Sequence, residues 1–455
     1  MIRAKCIPNL KSVVSIVGDI NEDWIEASTD TRSYVSGAFI AITGEKFNAV
    51  KYLEQVITKG CKLICFQEST ENNELIAKLN TKNITLVKVK DTIAFMQELA
   101  SEQIKLFKQE GNITIGISGS NGKTTHKEMI HHMINVIEPG KVIKTEKNNN
   151  NHIGVPLTVF QITPKTKYAV IEFGSNHPGE MKTVCDIVDP QYGITTNIGF
   201  THMEFFETLD NVFKEEAYLY QSVLKNREYK FLINEDDEYL TKLENTENTI
   251  RYGKTSSTNK VIINHHSVQV ADINLSNEQL IGEHNFFNLA GSFLLLKEVF
   301  PNKEDELVRA ASSFKSSMNR SEWVDYQDKK VFLDAYNANP SSMKMSVDGY
   351  LHYCKEHNWD KFFLVIGDMY ELGSKSDEYH VEVAKHLESL DIPLVVFVGK
   401  YKSIYESAYS KNSVSFETTK EFKESSFSKL LDENQSCFIK GSRSLQLESL
   451  VDITM

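Results

Sequence analysis

The sequence predicts an α/β protein of three domains, and three observations carry that expectation. Short apolar runs of strand length alternate with helical stretches along the whole chain. A glycine-rich turn, Gly116-Ile-Ser-Gly-Ser-Asn-Gly-Lys123-Thr124-Thr125, joins one such run to a helical pattern. The length, 455 residues, corresponds to three domains at roughly 150 residues each.

The elements follow in chain order. In residues 1–90 the apolar runs 38–42 and 63–66 alternate with helical stretches such as 50–59, which gives a small α/β N-terminal domain. A helical stretch over 92–108 opens a central domain, 91–312, and leads into the glycine-rich turn. There, 113–117 reads as a buried strand. Gly119 and Gly122 let the backbone fold tightly, so that successive N–H groups face phosphates at the N-terminus of the next helix. Two further strands, 168–173 and 192–197, are each followed by a polar loop and then a helix. That order gives a mostly parallel sheet whose ligands collect at the carboxyl ends of its strands. In 313–455, buried-strand runs at 331–334, 362–366 and 394–398 separated by helical patterns give a Rossmann-like C-terminal domain.

Composition narrows the partners. A formal charge of −12 argues against a nucleic-acid surface or an anionic membrane, although a local basic pocket can still steer an anionic substrate. No apolar run approaches bilayer length, and the N-terminus lacks the apolar core of a signal peptide, so no membrane insertion and a cytoplasmic location are expected. The six cysteines are scattered without a C-x-x-C pair, which fits a reducing compartment. Long flat apolar stripes are missing, so a monomer is expected.

The chemistry centres on the glycine-rich turn. Lys123 would neutralise the β- and γ-phosphates of a nucleoside triphosphate, and the Thr124 hydroxyl would sit on Mg²⁺. The general pattern G-x-x-x-x-G-K-[ST] wants a glycine where this chain has Ile117. The match is therefore to the shorter form made by Gly119, Ser120, Asn121, Gly122, Lys123 and Thr124, with Thr125 following. Glu172 closes an otherwise apolar strand, where a carboxylate is costly to desolvate unless it meets a cation. His202 follows the next strand and loop in the equivalent place. Each of the two, taken singly, also reads as a capping or structural residue. At neighbouring strand ends facing a phosphate loop, they point together to a metal–phosphate site.

Three asparagine-rich elements remain: 148–151, Gly282-Glu-His-Asn285-Phe-Phe-Asn288, and Asp334-Ala-Tyr-Asn337-Ala-Asn339-Pro340. Asparagine offers both donor and acceptor, which suits a nucleobase edge or a polar substrate. Turn and cap chemistry is the alternative for each.

Taken together these elements resemble the Mur ligases, nearly end to end. The carriers are Gly119-Ser-Asn-Gly-Lys-Thr-Thr125, Asn150-Asn-His-Ile-Gly-Val-Pro156, Ala169-Val-Ile-Glu-Phe-Gly-Ser-Asn-His-Pro-Gly-Glu180, Asn197-Ile-Gly-Phe-Thr-His202, Gly282-Glu-His-Asn285, Gly367-Asp-Met-Tyr-Glu-Leu-Gly373 and Lys440-Gly-Ser-Arg443. The Asn-His-Pro-Gly-Glu and Tyr-Asn-Ala-Asn-Pro strings favour the branch that adds D-alanyl-D-alanine to UDP-N-acetylmuramoyl-tripeptide. The resemblance implies ATP-dependent amide synthesis through an acyl phosphate. It also implies roles: Lys123 and Thr124 on the triphosphate and its magnesium, Glu172 and His202 on Mg²⁺, and Asn285, Arg320 and Asp334 on ATP. Ser28, Thr29, Asp30, Thr31 and Arg32, with Gly44-Glu45, match the nucleotide-sugar pocket. Asn150, Asn151, Ser175, Asn176, Asn337 and Asn339 fall in the substrate motifs, and the segments around Asp368, Glu371 and 440–443 would place the incoming dipeptide.

The chain departs from the family pattern at three places. Where Mur ligases usually carry a carbamylated lysine, fourteen residues after the metal histidine, this chain has Glu216. Its carboxylate sits three bonds nearer the backbone, roughly 3–4 Å at about 1.5 Å per bond. Glu216 is assigned the anionic role, with Lys214 as the alternative carbamate site. Asn48-Ala49-Val50 replaces Asp-Gly-His, and Asn319 replaces the glycine before Arg320. The competing readings are a Mur-fold ligase for another acid and amine, and a catalytically silent nucleotide-binding protein.

Overall fold

The computed structural model describes residues 1–44, 47–79, 84–316 and 320–452; Glu45 and Asn319 lie outside them. Three sheets organise the chain. The first runs in the order Val13–Val17, Thr85–Val89, Cys61–Gln67, Gly37–Ala41, Ala27–Ser28, with only its first pair antiparallel. The two-residue period of the strands divides it cleanly. Ala38, Ile40, Leu63 and Cys65 face one core, and Phe39, Ala41, Ile64 and Phe66 face another under Val50 and Leu53. The helical stretch expected over 50–59 forms as a 3₁₀ turn, Ala49–Tyr52, followed by a short α-helix, Leu53–Ile57. Asn48 sets this start by accepting the Val50 N–H at 3.0 Å.

The second sheet has seven strands, all parallel: Val142–Lys144, Tyr168–Glu172, Ile113–Ser118, Tyr192–Thr195, Lys230–Asn234, Thr249–Gly253, Asn259–Lys260. Its interior strands are nearly continuous apolar runs because helices cover both faces. Thr92–Gln109, Glu180–Val188 and Leu209–Leu224 bury Leu99, Val184 and Leu219 on one side. Lys123–Ile137 and Glu283–Val299 bury Ile130, Ile134 and Phe293 on the other. Strand order runs outward in both directions from Ile113–Ser118, so the crevice at its carboxyl end is the topological switch point where ligands bind in such sheets. The strands expected over 168–173 and 192–197 stop at Glu172 and Thr195. Phe173 and Thr196 still donate to Ile117 O and Ser118 O, after which the chain turns into loops over the crevice.

The third sheet orders Glu322–Tyr326, Lys329–Asp334, Ser436–Lys440, Phe362–Gly367, Val395–Val398 and Ser413–Phe416, parallel except for its first pair. The helices Pro340–Glu356 and Ser376–Glu388 pack on one face through Met343, Val347 and Val383. Ile281 of the preceding region is buried in this same core, with Phe200 packed against it, so the second and third units meet through apolar as well as polar contacts.

Gly116 fixes how closely a helix approaches the central strand. A Cβ there would lie 2.9 Å from Leu219 Cδ1 and 3.1 Å from Phe173 Cε2. Gly116→Ala is expected to destabilise the fold by about 1–3 kcal/mol through overpacking, read from the urea midpoint.

Candidate active site

The loop after Ile113–Ser118 is held on several sides. Gly119 has φ 116°, and a Cβ there would fall 2.2 Å from Thr196 Oγ1, so only glycine fits. Its N–H donates to Glu216 Oε2 at 2.8 Å. The Ser120 N–H donates to Asn197 O at 2.9 Å, and the Asn121 N–H to Asn197 Oδ1 at 3.0 Å. Gly199 donates its N–H to Ser120 Oγ at 2.8 Å. Beyond these anchors, the N–H groups of Gly122, Lys123 and Thr124 have no acceptor among the described residues. They open at the positive end of Lys123–Ile137, which makes an anion cradle. Lys123 Nζ donates to the Gly119 carbonyl across its mouth, and Thr125, half-buried, follows on the helix.

Glu172 is 3% exposed, and its carboxylate is satisfied without leaving the site. Thr124 Oγ1 donates to Oε2 at 2.9 Å, and Asn150 Nδ2 to Oε1 at 3.0 Å. Beneath it lies a group that the sequence reading missed. Lys127 is fully buried, its Nζ 3.6 Å from Glu172 Oε2 and 3.2 Å from Glu128 Oε1. A buried ammonium between two carboxylates offsets their desolvation. Helical spacing held the signal, since Thr124, Lys127, Ile130 and Ile134 share one buried face.

Glu216 is buried, whereas Lys214 on the same helix is exposed. Burial pushes the Glu216 carboxyl above its ordinary value, against the opposing pull of the Lys123 ammonium and the Gly119 N–H. Among the described residues, the only three His, Cys, Asp or Glu ligand atoms within 4.8 Å of one another lie elsewhere, so Glu172, His202 and Glu216 do not form a ready metal triad. The shorter arm takes Glu216 to the loop amide instead. Its neighbour Glu215 caps the helix Glu180–Val188, accepting the N–H groups of Gly179 at 2.8 Å and Met181 at 2.7 Å and the Ser175 hydroxyl at 3.0 Å.

His202 adopts φ 48°, and its Nδ1 lies 3.1 Å from Glu371 Oε2 of the C-terminal domain. That hydrogen bond holds the Glu371 carboxyl below the usual range. Asn339 makes a second crossing: it caps Pro340–Glu356 through the Ser342 N–H, and its Nδ2 donates to Asn121 Oδ1 at 2.6 Å. Asp334 is clamped by Lys440 Nζ at 2.6 Å and Ser346 Oγ at 2.8 Å. Burial would raise its carboxyl, but the Lys440 ammonium keeps it below the ordinary value. Arg320 stacks over Tyr336, 4.0 Å from the ring centroid.

Several expected residues serve local structure in this arrangement. Asn151 Oδ1 accepts the N–H groups of Ile153 and Gly154, Asn337 Oδ1 accepts that of Ala338, and Asn285 Nδ2 donates to Ile281 O. Asn288, one turn after Asn285, is the residue against the loop, 3.3 Å from a Cβ placed on Gly122. Asn176 is exposed, its N–H on Glu180 Oε2 at 2.7 Å. The turn from Ser28 through Thr29 to Arg32 is closed by contacts of its own: Ser28 Oγ with the Asp30 backbone, Arg32 with the Asp30 carboxylate, and Thr31 O accepting from Lys59 Nζ at 3.2 Å.

A parallel sheet with a phosphate loop at its switch point, facing a second nucleotide-type domain, defines a class, and comparison with known proteins gives the family. Residues 117–296 match the Mur ligase middle domain, and 319–443 match the Mur ligase glutamate ligase domain. The chain belongs to the Mur ligase family, ATP-dependent enzymes that form an amide bond. It is 30% identical to the UDP-N-acetylmuramoyl-tripeptide–D-alanyl-D-alanine ligase of Haemophilus influenzae, over 96% of this chain and 94% of that one. With the ligase of the same name from Bacillus subtilis it shares 29% identity, over 93% and 92%. The fold is similar to MurF from Acinetobacter baumannii, with a TM-score of 0.79 at 24% identity over 93% and 92% of the chains. It is also similar to MurF ligase from Thermotoga maritima in complex with ADP, with a TM-score of 0.77 at 21% identity over 94% and 96%.

Two outcomes follow from the charge geometry. Lys127→Met is expected to cost about 3–5 kcal/mol, because it leaves the buried Glu172 carboxylate without its cation; urea denaturation checks this. Asp334→Asn is expected to destabilise the protein at pH 7 by a similar margin, about 3–5 kcal/mol, by stranding Lys440. The Asp334 pKa is depressed, so its contribution is complete above the ordinary value of 3.8 and fades as pH falls through the lower folded value. The gap between wild type and variant should therefore close in acid, as read from denaturation midpoints against pH.

Proposed function

We propose that this protein joins D-alanyl-D-alanine to the terminal carboxylate of UDP-N-acetylmuramoyl-tripeptide, consuming ATP, as a step of peptidoglycan precursor synthesis. The observation that carries the reading is the end-to-end likeness, N-terminal region included, to relatives named for that reaction. The domain assignment is part of the proposal. Residues 1–90 take the nucleotide sugar through the Ser28–Arg32 turn, 91–312 take ATP, and 313–455 take the incoming amine. The reaction is assigned to the cytoplasm and to a monomer.

The chemistry follows from the loop. The free N–H groups and Lys123 receive the triphosphate, and Lys123 exchanges the Gly119 carbonyl for phosphate oxygens. Thr124 Oγ1 and Glu172 Oε2, both oxygen donors 2.9 Å apart beside the cradle, suit a hard divalent cation such as Mg²⁺. Thr124, Glu172 and His202 would hold it; when bound it would neutralise charge on the transferring phosphoryl group. Asn285, Arg320 and Asp334 are assigned to ATP, and Asn150, Asn151, Ser175, Asn176, Asn337 and Asn339 to the acyl and amine substrates. The γ-phosphoryl group passes to the substrate carboxylate, and the dipeptide amine then displaces phosphate. Catalysis is positioning and charge neutralisation. Glu216 serves as the anionic anchor of the loop through Gly119.

Phosphate release with ATP, Mg²⁺ and UDP-N-acetylmuramoyl-tripeptide tests the reading. Release should require D-alanyl-D-alanine, with the pentapeptide product confirmed by mass; release with neither peptide substrate, or none despite ATP binding, sinks it. Glu216→Gln is expected to lower kcat by at least about tenfold, roughly 1.4 kcal/mol of barrier, with Lys214→Met unchanged. The reverse pattern would return the carbamate role to Lys214.

A further inference from the structure

A second set of ligand groups bridges the central and C-terminal domains. His265 opens the two-residue turn between the strands Ile262–Asn264 and Ser267–Val270, whose register pairs Asn264 with Ser267. His352 and Glu356 lie four residues apart near the end of Pro340–Glu356, on one face of the helix. His352 Nε2 is 3.0 Å from Glu356 Oε1, and His265 Nδ1 contacts the same oxygen. The two imidazoles are stacked 9° from parallel with centroids 5.6 Å apart. All three ligand atoms fall within 4.8 Å of one another.

Both rings direct a nitrogen at one carboxylate oxygen, while their outer nitrogens, His265 Nε2 and His352 Nδ1, have no hydrogen-bond partner among the described residues. Moving each proton to the outer nitrogen therefore breaks no hydrogen bond elsewhere in the protein. It leaves two imidazole lone pairs and a carboxylate converging on one point. Two imidazoles and a carboxylate form a donor set for Zn²⁺ and its borderline neighbours, at about 2.0–2.2 Å from the ion. Mg²⁺, which demands oxygen ligands, is poorly served by it. The histidine side chains are 69% and 62% exposed, so rotation can draw the atoms inward.

We propose that His265, His352 and Glu356 bind a borderline divalent metal, typified by Zn²⁺, and that the occupied site ties the central-domain hairpin to the C-terminal helix. The tie would act where the two units already approach closely: a Cβ on Gly349, one turn before His352, would lie 3.0 Å from Gly282 Cα. Metal at this point favours the closed arrangement in which Asn339 reaches Asn121.

Calorimetric titration of the metal-free full chain with Zn²⁺ in excess Mg²⁺ tests the site. One equivalent should bind, weakened by at least about tenfold in His265→Ala and in His352→Gln, and unchanged in His202→Ala. Circular dichroism checks that the variants remain folded. Small-angle scattering should show Zn²⁺ making the wild type more compact and neither clasp variant so. Equal Zn²⁺ affinity in wild type and both clasp variants would overturn the site. Binding that depends on His265 and His352 but brings no compaction would overturn the tie.

Discussion

The phosphate loop is anchored in the core by one buried hydrogen bond, from the Gly119 N–H to the carboxylate of Glu216. Gly119 sits in a conformation that L side chains rarely adopt, and such a backbone persists only where its surroundings over-determine it. Glu216 supplies that constraint from one side and the 196–199 segment from the other. The helix that carries Glu216 also carries Glu215, which caps the helix after the neighbouring strand. One pair of adjacent acids thus holds the loops that follow two parallel strands. The close packing of Gly116 against Leu219 lets that helix sit near enough to reach both.

Charge is arranged in the same spirit. The protein is acidic overall, yet its interior beside the loop alternates sign: Glu172, Lys127, Glu128, Lys144. No member of that series is buried without an opposite neighbour. The carboxylate nearest the cradle is therefore kept available in the pocket with no metal needed to make its burial tolerable.

Much of this was legible in the sequence. The glycine-rich turn, the strand ending in Glu172 and the parallel order of the central sheet are all written in local pattern, where spacing and residue type suffice. The helical stretch at 50–59 was legible too, although apolar periodicity does not register that Asn48 opens it on a 3₁₀ turn. Lys127 escaped because a lysine on a helix reads as solvated until the neighbouring strand is known. The crossings from Asn121 to Asn339 and from His202 to Glu371 join residues far apart in sequence, and no local pattern encodes them. Of the asparagine runs, Asn151 and Asn337 accept local backbone N–H groups through Oδ1, Asn150 holds a carboxylate, and Asn339 both caps its helix and reaches Asn121.

That double duty matters when the two domains part. Asn339 begins its helix whether or not it touches the loop, so separating the two domains exchanges an amide hydrogen bond for water and leaves the helix intact. The His202–Glu371 crossing is likewise open to exchange with solvent, while Phe200 and Ile281 carry apolar contact with the C-terminal core. Parting the two units would therefore re-expose that apolar contact while the helix Pro340–Glu356 kept its start.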